Sequence, residues 1–149
     1  METLKIGIIG YGVRARAVFV VLYGINKGKK IELTAISDPA DVDSIKERLL
    51  ADNIDIENTK FYTDTDNMLE ENEFDGIIIG TRCNLHSELA AKVLKKRIPL
   101  FLEKPVSTTM EEFVREINEG LYLKRHHCTL GNDKLKLECV YVHSELYNI

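Results

Sequence analysis

Short apolar runs of strand length recur along this chain, each followed by a segment of helical spacing, and that alternation narrows the possible folds more than any other feature. Residues 4–9, 31–37, 60–62, 75–79 and 100–102 read as strands, and residues 14–23, 44–51, 65–70 and 85–96 as helices between them. The run 75–79 is almost wholly apolar and is bounded by Gly76 and Gly80, as expected of a central parallel strand covered on both faces. Pro99 is expected to stop the helix before it. Short crossovers between successive strands favour parallel pairing, so the expectation is an α/β fold with a doubly wound, mostly parallel sheet. Thr108 can cap a further helix from Thr109 to about Glu119, stopped by Gly120, and residues 127–130 read as a sixth strand. The pattern then changes: Gly131, Asn132 and Asp133 supply turn residues, and residues 134–142 read as strand, so 128–142 has the marks of a hairpin. The expected organisation is one domain over residues 1–130 with a β-type extension over 131–149 and no second domain.

Charge and cysteine usage exclude several function classes. A chain of 149 residues with formal charge −4 and scattered basic residues lacks the cationic surface that releases counterions from a nucleic acid. Its apolar runs are far shorter than the ~20 residues of a membrane helix, and Met1 leads directly into a strand without the pattern of a signal peptide, so a cytoplasmic protein is expected. Cys83, Cys128 and Cys139 form no C-x-x-C pair and read as free thiols. His126, His127, Cys128, Cys139 and His143 match no zinc spacing, so no metal is expected.

The chemistry is carried by Gly7-x-x-Gly10-x-Gly12-x-x-Ala15, placed where the first strand gives way to the first helix. Gly10 permits a tight turn, Gly12 lets main chain approach a pyrophosphate, and Ala15 allows helix and strand to pack closely. Tyr11, Val13 and Arg14 complete the turn and are counted with it as cofactor-binding. The helix start that follows presents unpaired N–H groups to phosphate. A glycine turn alone is a weak signal, but the next strand ends in Asp38, 23 residues beyond Ala15, where an acid accepts hydrogen bonds from an adenosine ribose. Asp38 is followed by Pro39, Ala40 and Asp41 rather than by an Arg, which favours NAD(H) over NADP(H). Further polar groups, Thr81, Arg82, Cys83, Asn84 and His86, follow the fourth strand, and Glu103-Lys104-Pro105 follows the fifth, both at the carboxyl edge where ligands bind in open α/β sheets. Read alone, Lys104 is a solvated amine; buried beside a cation it would serve as a hydrogen-bond donor or proton-transfer group.

The segments IGIIGYGVRAR, ELTAISDP and GIIIGTRCNLHSELAAKVLKKRIPLFLEKPVSTT are similar, in order and spacing, to the N-terminal NAD(P)-binding Rossmann domain of the Gfo/Idh/MocA oxidoreductases, over about residues 4 to 120. The resemblance implies that Gly10 and Gly12 bind phosphate, that Asp38 holds the ribose, and that Thr81, Asn84 and His86 line the nicotinamide half. It also implies that Glu103 and Lys104 belong to the family's EKP signature, whose lysine reaches the substrate, and that Pro105 matches a proline often preceded by a cis peptide. Arg82-Cys83 departs from the family, many of whose members carry Pro after the Thr. Family members continue into a second α/β domain that supplies the substrate pocket, whereas GNDKLKLECVYVHSELYNI does not resemble that continuation. The implied activity is dehydrogenation of a sugar or polyol, with little turnover expected from this chain unless a second domain or partner chain is supplied. The rival expectation is a non-catalytic dinucleotide-binding or assembly module, with a homo-oligomer formed through the C-terminal strand.

Overall fold

A computed structural model describes residues 3–25, 30–105, 108–109, 111, 124–129 and 136–142, and the chain divides into compact units of residues 1–81 and 82–149. In the first unit, strand β1 (Thr3–Ile9) leads to helix α1 (Val13–Gly24), then β2 (Lys30–Ser37), α2 (Val42–Ala51), β3 (Lys60–Tyr62), α3 (Thr65–Glu71) and β4 (Gly76–Ile79). The strands lie in the order β3-β2-β1-β4 and every pairing is parallel. Ile8 and Ile9 of β1, Leu33, Ala35 and Ile36 of β2 and Ile77 to Ile79 of β4 are buried; β4 reads as a continuous apolar run, whereas Glu32 and Thr34 of β2 alternate with its buried Ile31, Leu33 and Ala35. Each such Ile or Leu contributes at most about 1.5–3 kcal/mol of burial, an upper figure because the unfolded chain already hides part of its surface.

The β1–β2 register slips once: Ile6 faces Leu33 and Gly7 faces Ala35, so Thr34 is the extra residue of a bulge. Its hydroxyl is buried with no hydrogen-bond partner among the described residues. At Gly7 a Cβ would stand 2.6 Å from the Ile77 Cδ1 and 2.7 Å from the Phe74 ring, so the packing of β1 on its neighbours uses that missing side chain.

A capping residue moves the start of α2 from where periodicity alone puts it, while its end at Ala51 and the start of α3 at Thr65 stand as expected. Helix α2 starts at Val42 rather than Ser44 because the Asp41 carboxylate accepts the Ser44 N–H at 3.0 Å. Asp64 caps α3 in the same way, accepting from the Asn67 N–H at 2.9 Å. At its other end α2 closes with Asn53 at φ 58°, the Asn53 N–H bonding the Leu50 carbonyl and the Ile54 N–H the Leu49 carbonyl, with Ile54 and Leu49 both buried. That is a Schellman ending with Asn in the glycine position.

The second unit begins with a 3-10 turn (Cys83–Leu85) and helix α4 (His86–Lys95), followed by β5 (Leu100–Leu102), β6 (Lys124–Thr129) and β7 (Lys136–Val142). Helix α4 buries Leu89, Ala90, Ala91 and Val93 and carries Lys92 and Lys95 in its last turn. It ends at Lys95, one residue short of the expected Lys96: Arg97 takes φ 57°, its N–H bonding the Leu94 carbonyl at 2.8 Å, ahead of Pro99. The expected C-terminal hairpin is present and longer than its turn residues indicate, because β6 extends back to Lys124, which pairs with Tyr141. Strand β7 lies between β5 and β6, antiparallel to both, so the sixth strand joins β7 rather than β5. The helix expected from Thr109 to Glu119 falls almost wholly outside the described residues, as do Gly131, Asn132 and Asp133. No helix among the described residues is long and apolar enough to cross a membrane.

Candidate functional site

In the first unit the carboxyl ends of β1 and β2 converge on the glycine turn. Gly10 sits at φ +78°, and its N–H bonds the Ser37 carbonyl at 2.8 Å, which ties the end of β1 to the end of β2. A Cβ there would be 2.5 Å from the Thr81 methyl and 2.9 Å from the Thr81 main-chain nitrogen, so both the backbone conformation and the neighbouring main chain require glycine. Gly12 has ordinary extended angles as the residue preceding α1; its requirement is spatial, since a Cβ would stand 3.2 Å from the Gly80 carbonyl oxygen. Close packing of helix on strand, expected of Ala15, is realised against Gly80, where a Cβ would collide with the Ala15 methyl. Helix α1 has no side-chain cap, so its first N–H groups are not taken up by a capping side chain.

Asp38 stands at the end of β2, half-buried, with its carboxylate turned toward the glycine turn. Its Oδ2 accepts the Tyr11 N–H at 2.6 Å and its Oδ1 accepts the Ala40 N–H at 2.8 Å. A carboxylate has about four lone-pair sites, so each oxygen retains one beyond these main-chain bonds. Two hydroxyls of a vicinal diol are the matching donor set.

Tyr11, expected at the cofactor, has a side chain only 1% exposed, and its main-chain N–H is the group held by Asp38. Its hydroxyl has no hydrogen-bond partner among the described residues, and burial, reinforced by the charge of Asp52 and opposed by Arg16 and Arg48, pushes its pKa up to about 12. The Arg48 guanidinium lies 5.2 Å from the Tyr11 ring centroid and donates from Nη1 to the Tyr11 carbonyl at 3.2 Å. Sequence reasoning missed Arg48, which stands in α2 at a position that reads as solvated surface. Arg16 makes a forked pair with Asp52, Nε to Oδ2 at 2.6 Å and Nη2 to Oδ1 at 2.7 Å. That hydrogen bond holds the Asp52 carboxyl below the usual carboxylate range. Val13 is 84% exposed and Arg14 is exposed, which leaves an apolar side chain in water at the helix start. Thr81 is half-buried against Gly10.

In the second unit Asn84 and Cys83 are exposed, whereas His86 is 1% exposed and its Nδ1 lies 2.7 Å from the Pro105 carbonyl oxygen. A carbonyl can only accept, so Nδ1 carries the proton and donates. His86 therefore anchors the Glu103-Lys104-Pro105 segment, an arrangement of residues 19 apart that spacing alone does not reveal. Glu103 is buried, Lys104 is exposed, and the Lys104–Pro105 peptide is cis, as the resemblance implied. The burial that would turn Lys104 from a solvated amine into a reactive one is not supplied by the described residues of this unit. No group of three metal-ligating side chains occurs among the described residues.

A family model described as an oxidoreductase family with an NAD-binding Rossmann fold, Gfo/Idh/MocA, matches residues 4–144. The rhizopine catabolism protein MocA of Rhizobium meliloti is 29% identical over 112 residues, which cover 75% of this chain and 32% of that protein. Myo-inositol dehydrogenase from Lactobacillus casei, solved in complex with NAD(H) and myo-inositol, superposes with a TM-score of 0.68 at 25% identity, covering 80% of this chain and 33% of that one. A probable dehydrogenase from Thermotoga maritima gives 0.61 at 27% identity, over 78% and 32%. The chain thus spans about a third of the length of these relatives. Because the family match runs through nearly the whole sequence and the parallel strands, glycine turn and terminal Asp38 stand in the corresponding fold, the chain belongs to the Gfo/Idh/MocA oxidoreductases and carries their NAD-binding Rossmann fold.

Proposed function

We propose that the chain is the dinucleotide-binding part of a dehydrogenase acting on a sugar or polyol, with NAD(H) as its preferred cofactor and NADP(H) as the weaker one. The observation that carries this is the Asp38 carboxylate, aligned by the Tyr11 and Ala40 N–H groups and left with one acceptor site on each oxygen beside a glycine turn. The residues fit the cofactor: Gly10 and Gly12 keep the turn clear of side chains, the start of α1 faces it without a cap, and Asp38 matches a ribose diol. Bound nicotinamide would supply hydride transfer. The chain's own part is to hold the pyrophosphate on main-chain N–H groups at residues 12–14, the Tyr11 N–H being engaged by Asp38, to hold the ribose at Asp38, and to keep the Glu103-Lys104-Pro105 segment in place through His86. Thr81, Asn84 and Glu103 are assigned to the nicotinamide end, and Lys104 is the residue assigned to donate a hydrogen bond to the substrate oxygen. Myo-inositol bound to the Lactobacillus casei relative supports a cyclic polyol or similar sugar as the substrate class.

Calorimetric titration with NADH tests the reading. Asp38→Ala should weaken binding by about tenfold or more, the worth of a charge-assisted hydrogen-bond pair. Equal affinity in the variant would refute it. The exposure of Lys104 favours a second reading in which these 149 residues bind the dinucleotide without turning over a polyol by themselves. A steady rate of NADH formation with myo-inositol, abolished by Lys104→Ala, would exclude that second reading.

A further inference from the structure

The absence of an Arg directly after Asp38 is the sequence's reason to disfavour a 2′-phosphate, but the fold returns a guanidinium to the same residue that Asp38 grips. Tyr11 is held at both ends of its main chain: its N–H by Asp38 Oδ2 at 2.6 Å and its carbonyl by Arg48 Nη1 at 3.2 Å. By ordinary backbone dimensions the carboxylate and the guanidinium are then no more than about 10 Å apart, comparable with one screening length in physiological salt. Arg48 has five N–H donors, of which one goes to the Tyr11 carbonyl and one, from Nε, to the Ser44 carbonyl at 3.3 Å. It is half-buried, lies over the Tyr11 ring and has no carboxylate partner among the described residues. Arg16, the other guanidinium near Tyr11, is occupied by its forked pair with Asp52.

We propose that Arg48 is a specificity-determining residue that receives the 2′-phosphate of NADP(H), so that the domain binds both dinucleotides with affinities within about tenfold of each other. This rests on the dinucleotide reading above and adds a separate residue to it. Replacing the 2′-hydroxyl by a phosphate removes one donor from Asp38 and places a charge of about −1.5 to −2 beside it. The three remaining N–H donors of Arg48 offset that loss by charge-assisted bonds, which a diol cannot use in the same way. The backbone bond to Tyr11 fixes the guanidinium before ligand arrives.

Titration of the 149-residue protein and its variants with NADH and with NADPH separates the possibilities. Wild-type protein is expected to bind NADPH within about tenfold of NADH, and Arg48→Met to weaken NADPH by about tenfold or more while changing NADH by less than about threefold. Arg48→Lys, which keeps the charge without the fork and is the milder change for folding, should widen the NADPH-to-NADH ratio by a smaller factor in the same direction. A merely structural role for Arg48 would weaken both dinucleotides alike, so an unmoved ratio in both variants overturns the proposal. So does a wild-type preference for NADH above about tenfold with NADH binding intact. If neither dinucleotide binds wild-type protein, the dinucleotide reading itself fails and the role of Arg48 falls with it.

Discussion

Replacing Tyr11 by Phe removes one oxygen from a ring that is 1% exposed, and that oxygen has no hydrogen-bond partner among the described residues. A buried hydroxyl left without a partner forfeits about 1–3 kcal/mol of hydration. Against this, the lost atom gives up a handful of dispersion contacts of about 0.1–0.2 kcal/mol each. The ring face beneath Arg48 is retained in Phe, so the cation–π contact survives. Tyr11→Phe should therefore stabilise the protein by roughly 1 kcal/mol at neutral pH, or about 2–4 °C in melting temperature for a chain of this size. Alkaline pH supplies an independent check. The Tyr11 pKa is pushed from 10.0 to about 12 in the folded protein, so the fold favours the protonated form. That preference is whole below the unfolded value and is lost as pH climbs from about 10 through about 12. Phe has no proton to lose, so the advantage of the variant should widen across that window, by up to roughly 2–3 kcal/mol for a displacement of this size. Urea and thermal melts followed by circular dichroism, at neutral pH and at steps above about pH 10, measure both effects. A variant less stable than wild type by about 1 kcal/mol at neutral pH would refute the reasoning, because it would mean that the hydroxyl is hydrogen-bonded.

Other substitutions probe the turn and its supports. Gly10→Ala forces a side chain to φ +78° and against the Thr81 main chain; a loss of about 2–4 kcal/mol is expected, together with loss of NADH binding, and an unchanged melting temperature would contradict it. Asp52→Asn breaks the forked pair with Arg16. Because the folded Asp52 carboxyl is held below its unfolded value, its contribution is present above the ordinary carboxylate pKa and lost as pH falls through the folded value, so wild type and variant should converge in acid; a gap that persists there would show another cause. Asn53→Ala should cost about 1 kcal/mol while Asn53→Gly stays within a few tenths, as urea titration of both would reveal.

Strands β1, β2 and β4 were readable almost to the residue because buried Ile, Leu and Ala dominate them, unbroken in β4 and alternating with Glu32 and Thr34 in β2. Gly10 and Asp38 were readable because a turn followed by an acid one strand later is a local pattern with a fixed interval. What escaped was tertiary. Arg48 and Tyr11 are 37 residues apart, and nothing about an Arg in a helix says that its guanidinium will lie on a buried ring. His86 read as a residue lining the nicotinamide half, and spacing alone did not show that its Nδ1 bonds the Pro105 carbonyl 19 residues away. The end of α4 was expected at Lys96 and lies one residue earlier, but the left-handed conformation of Arg97 that closes it, one Arg seldom adopts, was not readable.

The place of β7 between β5 and β6 imposes an order on synthesis. Strand β6 leaves the ribosome before β7, but its ladder is with β7, so it must wait for residues 136–142 to emerge. Until then β5 has no partner on that side and β6 has none at all within the second unit. Nascent chains halted before residue 136 should therefore hold both segments open to chaperones or to strand-pairing with other copies, and emergence of β7 should close them together.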